Sequence, residues 1–483
     1  MGYYFVSIGG SGSKTLESLL HFCAAGILPE SDDKLKIFAV DPDTGNGNLQ
    51  RTTTTFNDYR NLQNLKFGMG KPIFKTDISK IDPYPWQLVD EEVTLDYMVG
   101  YARYRDTPLG DLFEVLYTKK ERNTTLDKGF RGHPSIGAAV LGKNYVMIGK
   151  DENKWDNLIE NIKSDISSGK NAKIFLVGSV FGGTGAAGLP TISRLLKEEF
   201  SKNANNDKIF IGGALILPYF EFTAPDNEQE LFAQSKNFLI NTKAALDYYA
   251  QKDNVFNTMY FVGDSYTTHI EKFSIGATNQ RNNAHMVDFY AALAAIDFFQ
   301  QDIERGTKDF KYICHHEPSK FDWNDFTGLT PDIKKPFVKF TKFIFAYNHL
   351  IRPIIHKLLD GTERQQYKYP WFIDLIADEH VEDSTISNFD NYTKDFVIWL
   401  EQLENMDTIG KRSVTLIKPE AFSSASDELT HPEDFTSLDG VNNPDLSLNE
   451  VWYRLTEPLN NVDYTGAEGF GKFLRRLYEA CEG

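Results

Sequence analysis

Two glycine-rich segments constrain the fold of this chain most, because each lies between a strand-length apolar run and a helical pattern. The apolar run 3–8 leads into the segment 9–14, and the run 174–177 leads into the segment 181–188. Further apolar runs of strand length lie at 37–40, 209–217 and 259–262. Strands that alternate with helices in this way predict an α/β fold with a mostly parallel sheet flanked by helices.

Both glycine segments belong to the predicted ligand site, since ligands of parallel sheets bind beyond the carboxyl ends of the strands. Glycines allow backbone amides to approach an anion closely, and the helix that follows adds a partial positive charge. The formal charge of -17 argues against direct binding of nucleic acid or of a membrane surface, because such proteins neutralise phosphates with Lys and Arg. An anionic ligand must therefore be held locally.

The length of 483 residues predicts two domains, the first over 1–300 and the second over 301–483. Apolar residues recur at helical spacing over 282–300 and predict a long, largely buried central helix. Beyond that helix few alternating strands are visible, so we expect a largely helical or α+β C-terminal domain. The stretch 422–448 is rich in Ser, Asp, Asn and Pro and predicts a surface loop.

The residue sequences of the glycine segments also resemble those of a known family. The second segment reads GGTGAAG from Gly182 to Gly188 and resembles the glycine signature of the tubulin/FtsZ superfamily. The first reads GGSGSK from Gly9 to Lys14 and is similar to that family's first phosphate loop. The segment 131–138, RGHPSIGA, resembles the loop that senses the terminal phosphate in FtsZ. The chain thus resembles a divergent prokaryotic tubulin-like protein, with 1–300 as its nucleotide-binding GTPase domain.

The resemblance also implies which residues bind the nucleotide. Acidic residues after the second strand lie near the phosphates and metal in the family, 217–222 resembles a strand end of FtsZ, and the central helix begins with a polar residue at the guanine edge. For that last position Asn282 is favoured over Asn283. The implied nucleotide-binding residues are Gly9, Gly10, Ser11, Gly12, Ser13, Asp41, Asp43, Gly132, His133, Gly182, Gly183, Thr184, Gly185, Ala186, Glu221 and Asn282.

Two aspartates past the central helix are the implied catalytic residues. Asp322 and Asp325 have the Asp-x-x-Asp spacing of the FtsZ loop that reaches the nucleotide of the next subunit and positions the attacking water. Lys320 stands where the family usually has Asn, and two surface acids beside a loop tryptophan are an equally good interpretation. The resemblance implies GTP or GDP with Mg²⁺, self-assembly into filaments or oligomers, and GTP hydrolysis that depends on assembly. It ends near residue 325.

Other features bound the environment and the partners. The three cysteines, Cys23, Cys314 and Cys481, are too scattered for a disulfide framework or a zinc motif, and no metal site is predicted at 314–317. Neither a signal peptide nor a membrane span is visible, so we expect a cytoplasmic protein. Its expected partner is a second copy of itself, with a regulatory protein as a further candidate.

Three alternatives stay open. A P-loop ATPase or kinase would use Lys14 and Thr15, although Ser13 stands where a P-loop requires glycine. A dinucleotide-binding Rossmann enzyme would use the first glycines, although position 15 is not glycine. A nucleotide-bound sensor or scaffold with little hydrolysis fits the same glycine segments and ranks directly behind a polymerising GTPase.

Overall fold

The computed structural model describes residues 1–28, 33–89, 92–146, 154–201, 206–223, 233–250, 255–270, 274, 276–304, 306–315, 320–321, 323, 333–359, 371–372, 383–404, 413–414, 416–417, 435, 446–456 and 462–482. Its strands are β1 Gly2–Ile8, β2 Leu35–Val40, β3 Ile78–Lys80, β4 Ala172–Ser179, β5 Ile209–Ile216, β6 Phe220–Phe222, β7 Thr258–Asp264, β8 Thr268–Ile270, β9 Asp309–His315, β10 Lys320–Phe321 and β11 Ser413–Val414.

Helices connect most of these strands. In the N-terminal half they are α1 Gly9–Ala24, α2 Gly47–Gln63, α3 Leu95–Val99, α4 Pro108–Leu116, α5 Lys119–Asn123, α6 Pro134–Val146, α7 Lys154–Ser167, α8 Thr184–Ser201 and α9 Phe238–Tyr249. The central helix α10 is Met286–Gln300, and after it come α11 Lys334–Ala346, α12 Arg352–Leu359, α13 Asp383–Glu404, α14 Leu448–Thr456 and α15 Gly469–Ala480.

A seven-stranded sheet forms the middle of the molecule, in the order β3-β2-β1-β4-β5-β7-β9. Every neighbouring pair in it is parallel. This confirms the predicted parallel sheet flanked by helices. The strand order runs outward in both directions from β1 and β4, so the chain changes direction between these two central strands. In open α/β sheets such a switch point leaves a crevice beyond the strand ends.

Both faces of the sheet are covered, because alternate residues of its central strands point into two different cores. In β1, Tyr4 and Val6 pack into one core and Phe5 into the other. The first core holds α7 and α8, and the second holds α1, α2 and α10. Strands buried on both faces read as continuous apolar runs, which is why they were visible in the sequence.

The central helix begins at Met286, four residues later than the sequence pattern predicts. His285 caps it: its Nδ1 accepts a hydrogen bond from the Val287 amide at 3.1 Å, and the Asp288 carboxylate accepts one from the His285 amide at 3.1 Å. Asn282 therefore lies in the irregular segment before the helix. The helix itself is buried almost throughout, as predicted.

The C-terminal region is largely helical in the part that the structure describes, as expected. Helices α11, α13 and α15 contribute to the same core as α1 and α10 and form a further layer over them. Strand β9 lies beyond residue 300 and yet pairs with β7 in the main sheet, so the domain boundary at 300 stays a prediction. Most of the predicted loop 422–448 lies outside the described residues. No described helix combines the length and apolarity needed to cross a membrane.

Truncation of a buried side chain in the central helix should lower the stability much more than truncation of the same residue type on the surface. Ile296 in α10 is fully buried, whereas Ile240 in α9 is 69% exposed. We expect Ile296→Ala to lower the free energy of unfolding by about 2–5 kcal/mol, and Ile240→Ala to change it by less than about 0.5 kcal/mol. Urea denaturation of both variants measures this. Equal losses would contradict the central placement of α10.

Candidate functional site

A cleft of about 1150 Å³, counted out to its open mouth, lies at the carboxyl ends of the central strands. Its walls come from the segments that follow β1, β2, β4 and β5, together with the loop 128–132 and the segment before α10. This position is the switch point of the sheet between β1 and β4. The two glycine segments, far apart in sequence, therefore face the same space.

Backbone approaches backbone along one wall of the cleft. A Cβ atom at Gly183 would lie 2.9 Å from Cβ of Phe130 and 3.1 Å from the amide nitrogen of Gly132. Gly132 has a φ of 75° and Arg131 a φ of 47°, a left-handed conformation that costs a residue with a side chain about 1–2 kcal/mol. Strain of this kind concentrates at functional sites. The loop after β4 thus needs glycine to lie against the loop 130–132.

Two helices begin at this wall. Helix α1 starts at Gly9, directly after β1, and α8 starts at Thr184, directly after the second glycine segment. The first amides of a helix have no partner within the helix, and the helix dipole places partial positive charge there. Gly9 and Thr184 both line the cleft. The wall is therefore suited to an anion such as a phosphate group.

An acidic pair lies across from the glycines, after β2. The Asp43 amide donates a hydrogen bond to Oδ1 of Asp41 at 3.0 Å, and Oδ2 of Asp43 accepts one from the Ala277 amide at 2.6 Å. Oδ2 of Asp41 is buried and has no hydrogen-bond partner among the described residues. Burial, together with the nearby Asp43 charge, raises the pKa of Asp41 to about 8. Burial also raises the pKa of Asp43.

This pair fits a divalent cation that the ligand helps to hold. Mg²⁺ is usually bound by one or two carboxylates together with substrate phosphates and water. The unpartnered oxygen of Asp41 is a hard ligand of the right kind, and Asp41 lines the cleft together with the glycines. No group of three or more acidic, His or Cys side chains that could hold a metal by itself occurs in the described part of the chain.

Lys14 lies at the floor of the cleft, in an ion pair. Its Nζ is 2.8 Å from Oδ2 of Asp288 in α10, and it donates a hydrogen bond to the Tyr219 hydroxyl at 3.1 Å. Burial opposes its charge, but Asp288 and Tyr219 together raise the pKa of Lys14 above its usual value. The lysine is thus charged and already engaged. A P-loop lysine would instead direct its charge at the phosphates.

Asparagines and a glutamine form the wall beside the central helix. Asn46 caps α2 through its side chain, and its Nδ2 donates to Oε1 of Gln280 at 3.1 Å. The side chain of Asn48 accepts a hydrogen bond from the Asn282 amide at 2.8 Å. All four residues line the cleft. The segment before α10 is therefore fixed against the beginning of α2.

Most of the predicted nucleotide-binding residues meet at the cleft. Those that line it are Gly9, Gly10, Ser11, Asp41, Asp43, Gly132, Gly182, Gly183, Thr184, Gly185 and Asn282. Those that do not are Gly12, Ser13, His133, Ala186 and Glu221. Nδ1 of His133 lies 3.0 Å from Oε1 of Glu121, and the Glu221 side chain is 58% exposed beside His269. The predicted catalytic residues Asp322 and Asp325 lie outside the described residues.

The cleft also contains residues that were not among the predicted nucleotide-binding residues. Its aromatic end and its basic rim are formed by Phe181, Phe220, Phe222, Phe238, Ile270, Lys128 and Arg131. Strands β6 and β8 pair with each other and bring Phe220, Phe222 and Ile270 together. Each of these strands has only three residues, too few for a period-2 pattern to be recognised. Asn46, which also lines the cleft, could have been found from the sequence, because Asn before a helical run is a common N-cap.

The fold and the cleft define an open parallel α/β protein with a glycine-walled, anion-suited cleft at its switch point. The family model described as "Tubulin like" matches residues 5–269, which is more than half of the chain. The chain belongs to the tubulin-like family.

The other comparisons add little to this assignment. Among solved structures, CetZ from Methanosaeta thermophila strain DSM 6194 aligns with 15% identity and a TM-score of 0.29 over 62% of this chain and 54% of that chain. The alignment thus spans about half the length of that CetZ. A comparison with curated proteins finds no match.

The buried carboxyl group of Asp41 should make stability depend on pH. Its folded pKa of about 8 lies above its unfolded value, so the folded chain keeps a proton that the unfolded chain has released. The free energy of unfolding should therefore fall as pH rises from about 4 towards 8, by up to about 1.4 kcal/mol per pH unit from this group. Asp41→Asn should remove that slope. Urea denaturation between pH 5 and 8, without Mg²⁺ or nucleotide, measures it.

The exposed Asp247 in α9 provides the control for this experiment. Asp247→Asn should leave the pH profile of the wild type unchanged. If Asp41→Asn and wild type give parallel profiles, Asp41 does not hold a proton in the folded chain.

Proposed function

We propose that this tubulin-like chain binds GTP or GDP with Mg²⁺ in the cleft and hydrolyses GTP when copies of the chain associate. One observation carries the proposal: the glycine segments after β1 and β4 and the loop at Gly132 converge on one cleft at the switch point of the sheet. These are the segments whose residue sequences resemble the tubulin/FtsZ phosphate loops.

The phosphates would lie against the glycine wall. The N-termini of α1 and α8 supply amides and partial positive charge there, and Lys128 and Arg131 lie at the rim. A triphosphate carries several negative charges, whereas the chain as a whole is at -17. Local backbone donors thus have to supply the attraction, as expected from the sequence.

Asp41 and Asp43 would hold Mg²⁺ between themselves and the phosphates. The cation would offset phosphate charge that the acidic pair otherwise repels. Asp41 must lose its proton to act as a ligand, and the raised pKa makes this step depend on pH. The Asp43 carboxylate, which also accepts the Ala277 amide, would be the second ligand.

The base would lie towards Asn282. A side-chain amide has both a donor and an acceptor, so it can match the edge of a purine. The phenylalanines of the aromatic end offer apolar surface for the remainder of the nucleoside. The choice of guanine over adenine rests on Asn282 and on the family resemblance.

Hydrolysis is the part of the proposal that concerns a second copy. Asp322 and Asp325 would approach the nucleotide of the next subunit and position the attacking water, as the resemblance implies. In a site shared between copies, one copy alone would lack some of the catalytic residues. The alternative is a nucleotide-bound sensor or scaffold that hydrolyses GTP slowly.

A methyl group at the glycine wall should weaken nucleotide binding. In Gly183→Ala the new Cβ would press on Phe130 and on the backbone of Gly132, and the two loops would have to separate. We expect the Kd for a fluorescent GTP analogue with Mg²⁺ to rise by at least about tenfold, which corresponds to about 1.4 kcal/mol.

Gly142 in α6 provides the matched control, because a Cβ there would meet nothing within 4 Å. Gly142→Ala should bind the analogue with the affinity of the wild type. If the wild-type protein binds no guanine nucleotide, the proposed function is wrong. If Gly183→Ala binds the analogue with unchanged affinity, the glycine wall is not part of the binding site.

Assembly-dependent hydrolysis should appear in the concentration dependence of the activity. The specific GTPase activity should increase as the protein concentration is raised, because each active site needs a second copy. Asp322→Ala and Asp325→Ala should retain GTP binding and lose turnover. Phosphate release measured over a hundredfold range of protein concentration, about 0.1–10 μM, checks this, because that range brackets a Kd of about 1 μM. A flat specific activity would favour the sensor or scaffold.

A further inference from the structure

The segment before the central helix is held by side chains rather than by regular secondary structure. The Asn282 amide donates to Oδ1 of Asn48 at 2.8 Å, and the Asn282 carbonyl accepts from Nη1 of Arg51 at 3.1 Å. Arg51 is itself fixed by two hydrogen bonds of 2.7 Å to the buried carboxylate of Glu17. Both backbone groups of Asn282 are thus engaged by α2, and its side chain remains for the cleft.

The next fixed point on this segment comes from the C-terminal region. The Ala284 amide donates a hydrogen bond of 2.8 Å to Oε1 of Gln402 in α13. Ala284 is buried, and a buried amide without an acceptor is costly. Gln402 is 118 positions away in sequence, so this contact depends on how α13 packs.

Aromatic contacts fix α13 close to Gln402. One turn earlier, Nε1 of Trp399 donates to Oγ of Ser18 in α1 at 3.2 Å. The Trp399 ring also stacks on Phe289 of the central helix, with centroids 6.1 Å apart and planes 14° apart. Residues three apart share one face of a helix, so Trp399 and Gln402 face the nucleotide-binding part of the chain together. The acceptor that holds Ala284 is therefore rigidly placed.

We propose that Gln402 is a positioning residue for the nucleotide site: by holding the Ala284 amide, it fixes the segment that presents Asn282 to the cleft. This inference rests on the proposed function and extends it to the C-terminal region. Asn48 and Arg51 fix the segment from α2, and Gln402 fixes it from α13 two residues later. Displacement of α13 would consequently loosen the base end of the cleft and leave the glycine wall in place.

Replacement of Gln402 should affect recognition of the base more than binding of the phosphates. In Gln402→Ala the Ala284 amide loses its acceptor, and we expect the Kd for GTP to rise about fivefold, in line with the loss of one hydrogen bond. The Kd for ATP, which has the same triphosphate, should change much less. The ratio of the two affinities is the measurement, because a general loss of structure would weaken both alike.

Two further variants complete the experiment. Gln402→Glu keeps an acceptor oxygen at the same place and should restore the GTP to ATP ratio. Asn391→Ala, at an exposed position of the same helix, should leave it unchanged. If Gln402→Ala has the wild-type ratio, or if Gln402→Glu behaves like Gln402→Ala, the positioning role is wrong.

Hydrogen exchange without nucleotide separates this inference from the proposed function. Peptides that cover 281–288 should exchange faster in Gln402→Ala than in the wild type, whereas peptides from the glycine segment after β4 should not change. Unchanged exchange at 281–288 overturns the hold by Gln402 whether or not GTP binds. If peptides 281–288 exchange faster in Gln402→Ala than in the wild type, but the wild type binds no guanine nucleotide, the proposed function is wrong and the role of Gln402 in holding the segment stands.

Discussion

The buried ion pair between Lys14 and Asp288 determines how the two central helices of this protein meet. Lys14 lies one turn into α1, and Asp288 lies in the first turn of α10, where its carboxylate also accepts a hydrogen bond from the cap residue His285. Removal of one partner from a buried pair typically costs about 3–5 kcal/mol, because the other charge is left unpaired. The pair therefore fixes α10 against the helix that follows the first glycine segment. Lys14 also lines the cleft, so the pair connects the cleft to the central helix.

The same arrangement brings the C-terminal helices into contact with the N-terminal half of the chain. The central helix is covered by the sheet on one side and by aromatic residues of later helices on the other, among them Phe337 and Trp399. A helix that is apolar all round must be buried all round. The sequence of 286–300 thus already requires a covering layer, although it does not say which segment provides it. The structure shows that α11 and α13 contribute to this layer.

The sequence predicts the sheet and the glycine wall well, because both depend on local patterns. Apolar runs, glycine segments and the following helices each occupy a few adjacent residues. The beginning of α10 was misplaced because its cap is His285, a residue type that the usual N-cap preferences do not include. The contacts of Lys14 with Asp288 and of Ala284 with Gln402 join distant parts of the chain. No pattern in a single sequence identifies such pairs, because each residue type also occurs commonly without a specific distant partner.

The charges inside the cleft limit how an anion can be bound there. Lys14 is neutralised by Asp288, so its charge does little for a phosphate, and attraction falls to backbone amides, helix N-termini and the rim. Asp41, by contrast, is neutral below a pH of about 8 because its burial disfavours the charge. A divalent cation bound as proposed would compete with a proton for the same carboxylate oxygen. In the proposed function, binding of the cation would therefore have to release this proton.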